Sequence, residues 1–158
     1  MFNLDKIDNK ILILVQNNAK LSNQDLADKV GLSPSACLRR FKALEETGLI
    51  LGYKTILDAK KMGLGVTALL QVSVDKHVYE QFELFEAAVV KIPNVLECLL
   101  LTGQSADYQL KVVVKDLDQY QDILLNHITK ISGVSGVHTS FVLREVVNKT
   151  NLPITLTL

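Results

Sequence analysis

The chain is predicted to be α+β, with a helix-turn-helix of winged type at the N-terminus and a ferredoxin-like βαββαβ sandwich after it. Three observations predict this. A serine-capped helix, a glycine and a Ser-Pro helix start follow one another between Leu21 and Pro34. From Val66 onward, period-two apolar runs alternate with segments of helical period. Between them, 58–65 (Asp-Ala-Lys-Lys-Met-Gly-Leu-Gly) has the composition of a linker. The expected division is therefore 1–57 as a helix-turn-helix with an exit strand, 58–65 as a linker, and 66–158 as the sheet domain.

The first helix is expected over Lys6–Asn17, where Ile7, Ile11, Leu14 and Val15 fall on one face. Ser22 and Asp25 form an S-x-x-D capping box that satisfies free backbone N–H groups and starts the second helix. Leu26, Ala27 and Val30 are its inner face, and Gly31 supplies the permissive backbone that a sharp turn requires. In the third helix Ser33 is the N-cap and Pro34 stands at the first helical position, where a missing N–H costs nothing. Leu38, Phe41 and Leu44 supply its apolar stripe. Ser33, Ser35, Ala36, Arg39, Arg40 and Lys42 are small, polar or basic. A helix so composed can enter the major groove of double-stranded DNA and donate to phosphates and base edges. These six residues are the expected DNA contacts. Tyr53 and Lys54 follow in a segment, 50–57, with strand composition.

In the second half, Val66–Val74 places Val66, Ala68, Leu70, Val72 and Val74 on one face. A helix over 80–92 buries Phe82, Phe85 and Val89, and strands follow at 95–102 and Tyr108–Val114. A second helix over 117–131 turns Leu117, Tyr120, Leu124, Ile128 and Ile131 inward, and a strand at 137–146 closes the sheet. The form K-I-x-x-V recurs at Lys91–Val95 and Lys130–Val134, as two βαβ halves would produce. Leu69, Leu96, Cys98, Leu100, Val113 and Val142 lie on alternate positions to the first set, so the face without helices also wants cover. A second copy of the chain is the expected source.

Formal net charge is zero, with nine lysines and arginines against seven acids in 1–60. That bias is small, so DNA affinity is expected to lean on dimerisation rather than on a strong basic field. No apolar run is long enough for a membrane span, and the first residues lack the order of a secretory signal. Cys37 and Cys98 are read as reduced thiols. His77, His127 and His138 stand singly, so neither a metal nor another cofactor is expected. The expected setting is cytoplasmic, on the nucleoid.

Five segments carry a family resemblance. Leu4 to Leu12 is similar to an L-D-x-x-D-x-x-I-L opening, and Leu26 to Ser33 to an L-A-x-x-V-G-L-S turn. Arg39 to Ile50 resembles an R-R-x-x-x-L-E-x-x-G-x-I recognition helix and exit. Gly103 to Tyr108, with one residue more between glycine and aspartate, resembles a G-x-x-D-Y loop, and Thr139 to Leu143 a last sheet strand. In that order and spacing they resemble the Lrp/AsnC family of bacterial and archaeal regulators, the feast/famine regulatory proteins, over nearly the whole chain. The resemblance implies a DNA-binding head, dimerisation through the sheets, assembly into tetramers or octamers, and a small effector, usually an amino acid, held between dimers. By position it places Leu101, Gly103, Gln104, Ala106, Asp107, Tyr108, Thr139 and Ser140 at that effector. A glycine turn can present N–H donors to a carboxylate, and Asp107 can accept an ammonium.

Two other classes share the architecture. Haem-pathway decarboxylases, siroheme-decarboxylase-like enzymes, need basic residues and histidines on a tetrapyrrole carboxylate, and only Lys111, His138 and Arg144 are available. An architectural protein would wrap DNA with no effector at all. The reading favoured is a sequence-specific regulator with no catalytic residues, whose paired recognition helices require half-sites about one helical turn apart.

Overall fold

The computed structural model describes residues 4–75, 77–103 and 105–154. The chain forms two compact units, Met1–Ile56 with Val147–Leu158, and Leu57–Val146.

In the first unit, α1 (Lys6–Asn17) starts at Asp5, whose carboxylate accepts the backbone N–H groups of Ile7 and Asp8. The Asp8 carboxylate accepts the Asp5 N–H in return. Helix α2 (Asn23–Val30) is capped by Ser22, which accepts the Asp25 N–H at 3.1 Å. The Asp25 carboxylate takes the serine hydroxyl proton at 2.6 Å, rather than the backbone N–H that a reciprocal box uses. Gly31 closes α2 at φ 76°, a left-handed conformation that a side chain would strain. Helix α3 (Pro34–Glu46) begins as expected at Ser33-Pro34. The three helices enclose Ile11, Leu12, Leu26, Ala27, Val30, Cys37 and Leu44.

Three expectations change here. Cys37, not Leu38, joins Phe41 and Leu44 in the stripe of α3; Leu38 is 40% exposed. The exit strand over 50–57 does not form, and among the described residues no strand precedes Val66. A strand needs a neighbour for its N–H and C=O groups. Among the described residues this segment pairs with none, and Leu51, Ile56 and Leu57 stand exposed. Residues 147–154, expected to belong with the sheet, group with the head instead. The Gln16 side chain accepts the Leu152 N–H at 2.7 Å, Asn151 donates to Asn17 at 2.8 Å, and Ile154 packs on the helical core.

The second unit is a four-stranded antiparallel sheet in the order β2-β3-β1-β4. The strands are β1 (Val66–Val74), β2 (Val95–Leu100), β3 (Tyr108–Val114) and β4 (Val134–Phe141). Strand β3 lies between β1 and β2, and β1 between β3 and β4, so each βαβ unit is split by a strand of the other. Helices α4 (Tyr79–Val89) and α5 (Leu117–Asp122) cover one face. Ala68, Leu70, Val72, Val74, Tyr108, Leu110, Val112 and Val114 meet Phe85, Val89, Tyr120, Ile123 and Ile128 there, all buried.

Helix α5 continues into one π-helical stretch, Ile123–Ile128, marked by the Thr129 N–H donating to Leu124 O. The wider turn puts Ile123 and Ile128 on one face at a spacing of five. Leu117, expected inward on an unbroken α-helix, is 59% exposed as a result of its place at the helix start.

The register of β2 also departs from simple alternation. Val95 opposes Val112 while Glu97 opposes Lys111, so Leu96 is an extra residue, a β-bulge. Beyond it every side chain changes face. Cys98 and Leu100 pair with Leu110 and Tyr108 on the helix side, not on the open face. Glu97 and Leu99 take the open side, beside Lys111 and Gln109. Strand β4 starts at Val134 and stops at Phe141, because its partner β1 begins at Val66; one further bond, Val142 N–H to Thr67 O at 2.9 Å, ends the pairing.

Candidate functional site

The head presents the first turns of α3. Ser33 and Ser35 are exposed with their hydroxyls 3.3 Å apart, and Ser33 Oγ accepts the Ala36 N–H at 3.3 Å, so this serine caps the helix. Ala36 is half-buried, while Arg39 and Lys42 are exposed. Asn23 donates to Pro34 O at 2.9 Å and ties the start of α2 to the start of α3. Arg40 is placed differently from its neighbour. Its Nη1 donates to Asp5 Oδ2 at 2.7 Å and to Asp8 Oδ1 at 2.8 Å. The carboxylates raise the guanidinium pKa further, the Asp8 hydrogen bond most of all. The Asp8 N–H foremost, together with Arg40, holds Asp5 below the ordinary carboxylate value. Arg40 is therefore a tie between α3 and the cap of α1, and Arg39 is the exposed arginine of the pair. Tyr53 donates to Glu45 at 2.8 Å, and desolvation foremost pushes its phenol up to about 12. Cys37 is fully buried, and desolvation raises its thiol. A thiol raised and enclosed in this way is a poor redox sensor.

In the sheet unit the β2–β3 loop folds around Asp107. The Leu101 N–H donates to Asp107 O at 2.8 Å, closing the loop. The Asp107 N–H donates to Val72 O at 2.9 Å, and Asp107 Oδ2 accepts the Val74 N–H at 2.8 Å. His77 Nε2 lies 2.7 Å from Asp107 Oδ1. Ser73 Oγ donates to Ser105 O at 3.2 Å. Gly103 turns the loop at φ 81°, with open space where a Cβ would stand. Ala106 is buried. Gln104, an expected effector residue, lies outside the described residues.

Tyr108 alternates into the core. It is 1% exposed, stacks within 4.5 Å of Phe85, and donates its hydroxyl to Glu86 Oε1 at 2.7 Å. Desolvation foremost raises its phenol well above the ordinary tyrosine value. The ring is a wall behind the loop rather than a group facing solvent.

Thr139 and Ser140 do not join this loop within one chain. They oppose Leu70 and Leu69 on β1, about four residues from Val74, which is on the order of 13 Å along the strand. They also point to opposite faces. Thr139 Oγ1 hydrogen-bonds the Tyr120 hydroxyl on the helix side. Ser140 lines a shallow depression of about 580 Å³ on the open face with Leu69, Phe141, Val142 and Arg144. Among the described residues of 101–107, none lines that depression.

Sequence reasoning overlooked His77. It stands 30 residues from Asp107, and nothing local links them; only the return of β3 alongside β1 brings the two together. His127 likewise approaches Asp122, at 3.8 Å. Among the described residues no three histidines, cysteines or acids converge as a metal site, and no helix is long and apolar enough to cross a membrane.

A capped, solvent-facing α3 on a three-helix head, followed by a split βαβ sheet with a carboxylate-centred loop, defines a two-part DNA-binding regulator. Residues 4–50 match the winged helix-turn-helix DNA-binding family, and 67–152 match the Lrp/AsnC ligand binding domain. The chain belongs to the Lrp/AsnC family of transcriptional regulators. It is 41% identical to the transcriptional regulator AzlB of Bacillus subtilis over 96% of both chains. It is also 41% identical to the Bkd operon transcriptional regulator of Pseudomonas aeruginosa, over 98% of this chain and all of that one. A Neisseria meningitidis transcriptional regulator solved as a complex with L-methionine superposes with a TM-score of 0.91 at 39% identity, covering 96% of this chain and 97% of that one.

Proposed function

We propose that this DNA-binding transcriptional regulator senses a small amino acid through the Asp107 loop, and that the site is completed between copies of the chain. The observation that carries this is the division of the expected effector residues. Leu101 and Asp107 gather at the end of β1, whereas Thr139 and Ser140 sit about four residues away and on opposite faces. One chain cannot close them around one small molecule, and two chains meeting at their sheets can. The relative solved with L-methionine supports the ligand class.

The ligand acts by linkage: bound between chains, it shifts the assembly or the spacing of the DNA heads and so changes affinity for a multi-site operator. On the DNA side, Ser35, Arg39 and Lys42 face the groove with Ala36 close to the backbone, Ser33 caps the helix, and Arg40 sets the helix in place. The setting is the cytoplasm, on chromosomal DNA.

Fluorescence anisotropy on DNA from upstream of its own gene, at fixed salt and with a panel of amino acids, tests the proposal. Specific binding altered by one or a few amino acids is expected. Specific binding indifferent to the panel removes the effector from the account and leaves an architectural role.

A further inference from the structure

Both oxygens of the Asp107 carboxylate are engaged inside the chain. Oδ2 accepts the Val74 N–H at 2.8 Å, a backbone donor that β1 holds in place. Oδ1 meets His77 Nε2 at 2.7 Å. The two partners differ in permanence. The His77 side chain is 68% exposed, while that of Asp107 is 15% exposed. His77 sits in the β1–α4 turn, where, besides Asp107, its ring lies edge-on to Phe82 at 6.2 Å. One oxygen of the loop carboxylate is thus covered by an exposed nitrogen donor, the same kind of group as an amino acid ammonium.

We infer that His77 is an internal competitor for the effector ammonium. It occupies Asp107 Oδ1, and a primary ammonium must displace it to reach that oxygen. This rests on the reading that Asp107 receives the effector amine. The His77–Asp107 hydrogen bond has to be given up before the ammonium can take that oxygen, so the pairing lowers the apparent affinity for the effector and its removal raises it.

The other groups around His77 do not replace this pairing. Asp75 lies two residues back in the same turn, exposed, with its N–H bonded to Gly133 O. On α4, Phe82 offers only a ring, Gln81 donates to Ser132 O, and Glu86 accepts the Tyr108 hydroxyl. On the neighbouring β2, Cys98 is pushed up to about 11, by desolvation foremost and then by Glu86, and stays uncharged near neutral pH. Lys76 lies outside the described residues.

Isothermal titration calorimetry on the full-length protein tests the inference, with L-methionine, L-leucine and the remaining L-amino acids as probes. Wild type, His77→Phe and His77→Gln are compared at one pH near neutrality. For the amino acid that binds, His77→Phe, which removes the nitrogen donor, is expected to bind several-fold more tightly than wild type, and His77→Gln, which keeps a neutral N–H donor, to fall between the two. Using two variants separates a fault in folding, which thermal melts read, from loss of competition. Binding that is weaker in both folded variants overturns the inference, because His77 would then support the site. Equal affinity in all three proteins overturns it too, while leaving the effector reading intact. No heat from any amino acid in any of the three proteins sinks the effector reading, and the inference with it.

Discussion

Arg40 on the recognition helix donates to Asp5, the N-cap of α1, at 2.7 Å, and the same nitrogen reaches Asp8 at 2.8 Å. Two acids that already cap one helix thereby hold another, so the cap of α1 and the placement of α3 form one device. The adjacent Arg39 is exposed, and among the described residues it makes no such tie.

The two arginines are expected to separate by assay. Arg39→Ala should weaken operator binding by roughly 1–3 kcal/mol if it reads a base, and leave the melting temperature unchanged. Arg40→Ala should lower the melting temperature of the head, and the Asp5→Asn, Asp8→Asn double variant should behave like it. Anisotropy and thermal melts on the same preparations check both. A melting temperature for Arg40→Ala equal to wild type would mean the tie contributes nothing to stability.

Acid should loosen the same device. Asp5 is held below its ordinary value of 3.8, so the folded head binds its proton less readily than the unfolded chain does. A depressed carboxyl contributes stability that is full above the unfolded pKa and is lost as pH falls through the lower folded value. Head stability should therefore decline below about pH 4. Asp5→Asn should be less stable near neutrality and show less of that decline. Denaturant melts between about pH 3 and about pH 7 measure it.

Burial along α5 and its π-helical continuation predicts an unequal response among three apolar residues. Ile128→Ala and Ile123→Ala empty positions that are 0% and 4% exposed and should each cost about 2–5 kcal/mol. Leu117→Ala, at 59% exposure, should cost less than about 0.5 kcal/mol in the isolated unit. Urea unfolding resolves the difference. Equal costs at 117 and 128 would restore the regular α-helical face.

Asp107→Asn keeps an oxygen for the Val74 N–H and removes the charge that an ammonium needs. Amino acid affinity should fall at least about tenfold, since a charge-assisted hydrogen bond is exchanged for a neutral one. Calorimetry measures this directly. An unaltered affinity would put the effector elsewhere on the sheet.

Much of the fold was legible because its signals are local. Ser22, Gly31 and Ser33-Pro34 act on backbone groups within a few residues of themselves, and the helices start and stop where those residues stand. Strands β1 and β3 keep one apolar face from end to end, so their alternation located both strands and core. The candidate site was legible only as a loop. Gly103 and Asp107 mark it, yet the residues that hold its carboxylate, Val74 and His77, are 33 and 30 positions away.

The sequence by itself determined the three helices of the head, the strands β1 and β3 with their apolar faces, and where an exposed basic helix follows a glycine turn. Those properties depend on covalent neighbours and on the periods of helix and strand. Only the tertiary structure decided that Leu96 is an extra residue that reverses the faces of Cys98 and Leu100. It alone decided that Arg40 is a tie, that 147–154 return to the head, and that His77 covers Asp107. Each of these depends on which distant segment lies alongside, and packing, not local preference, chooses that neighbour.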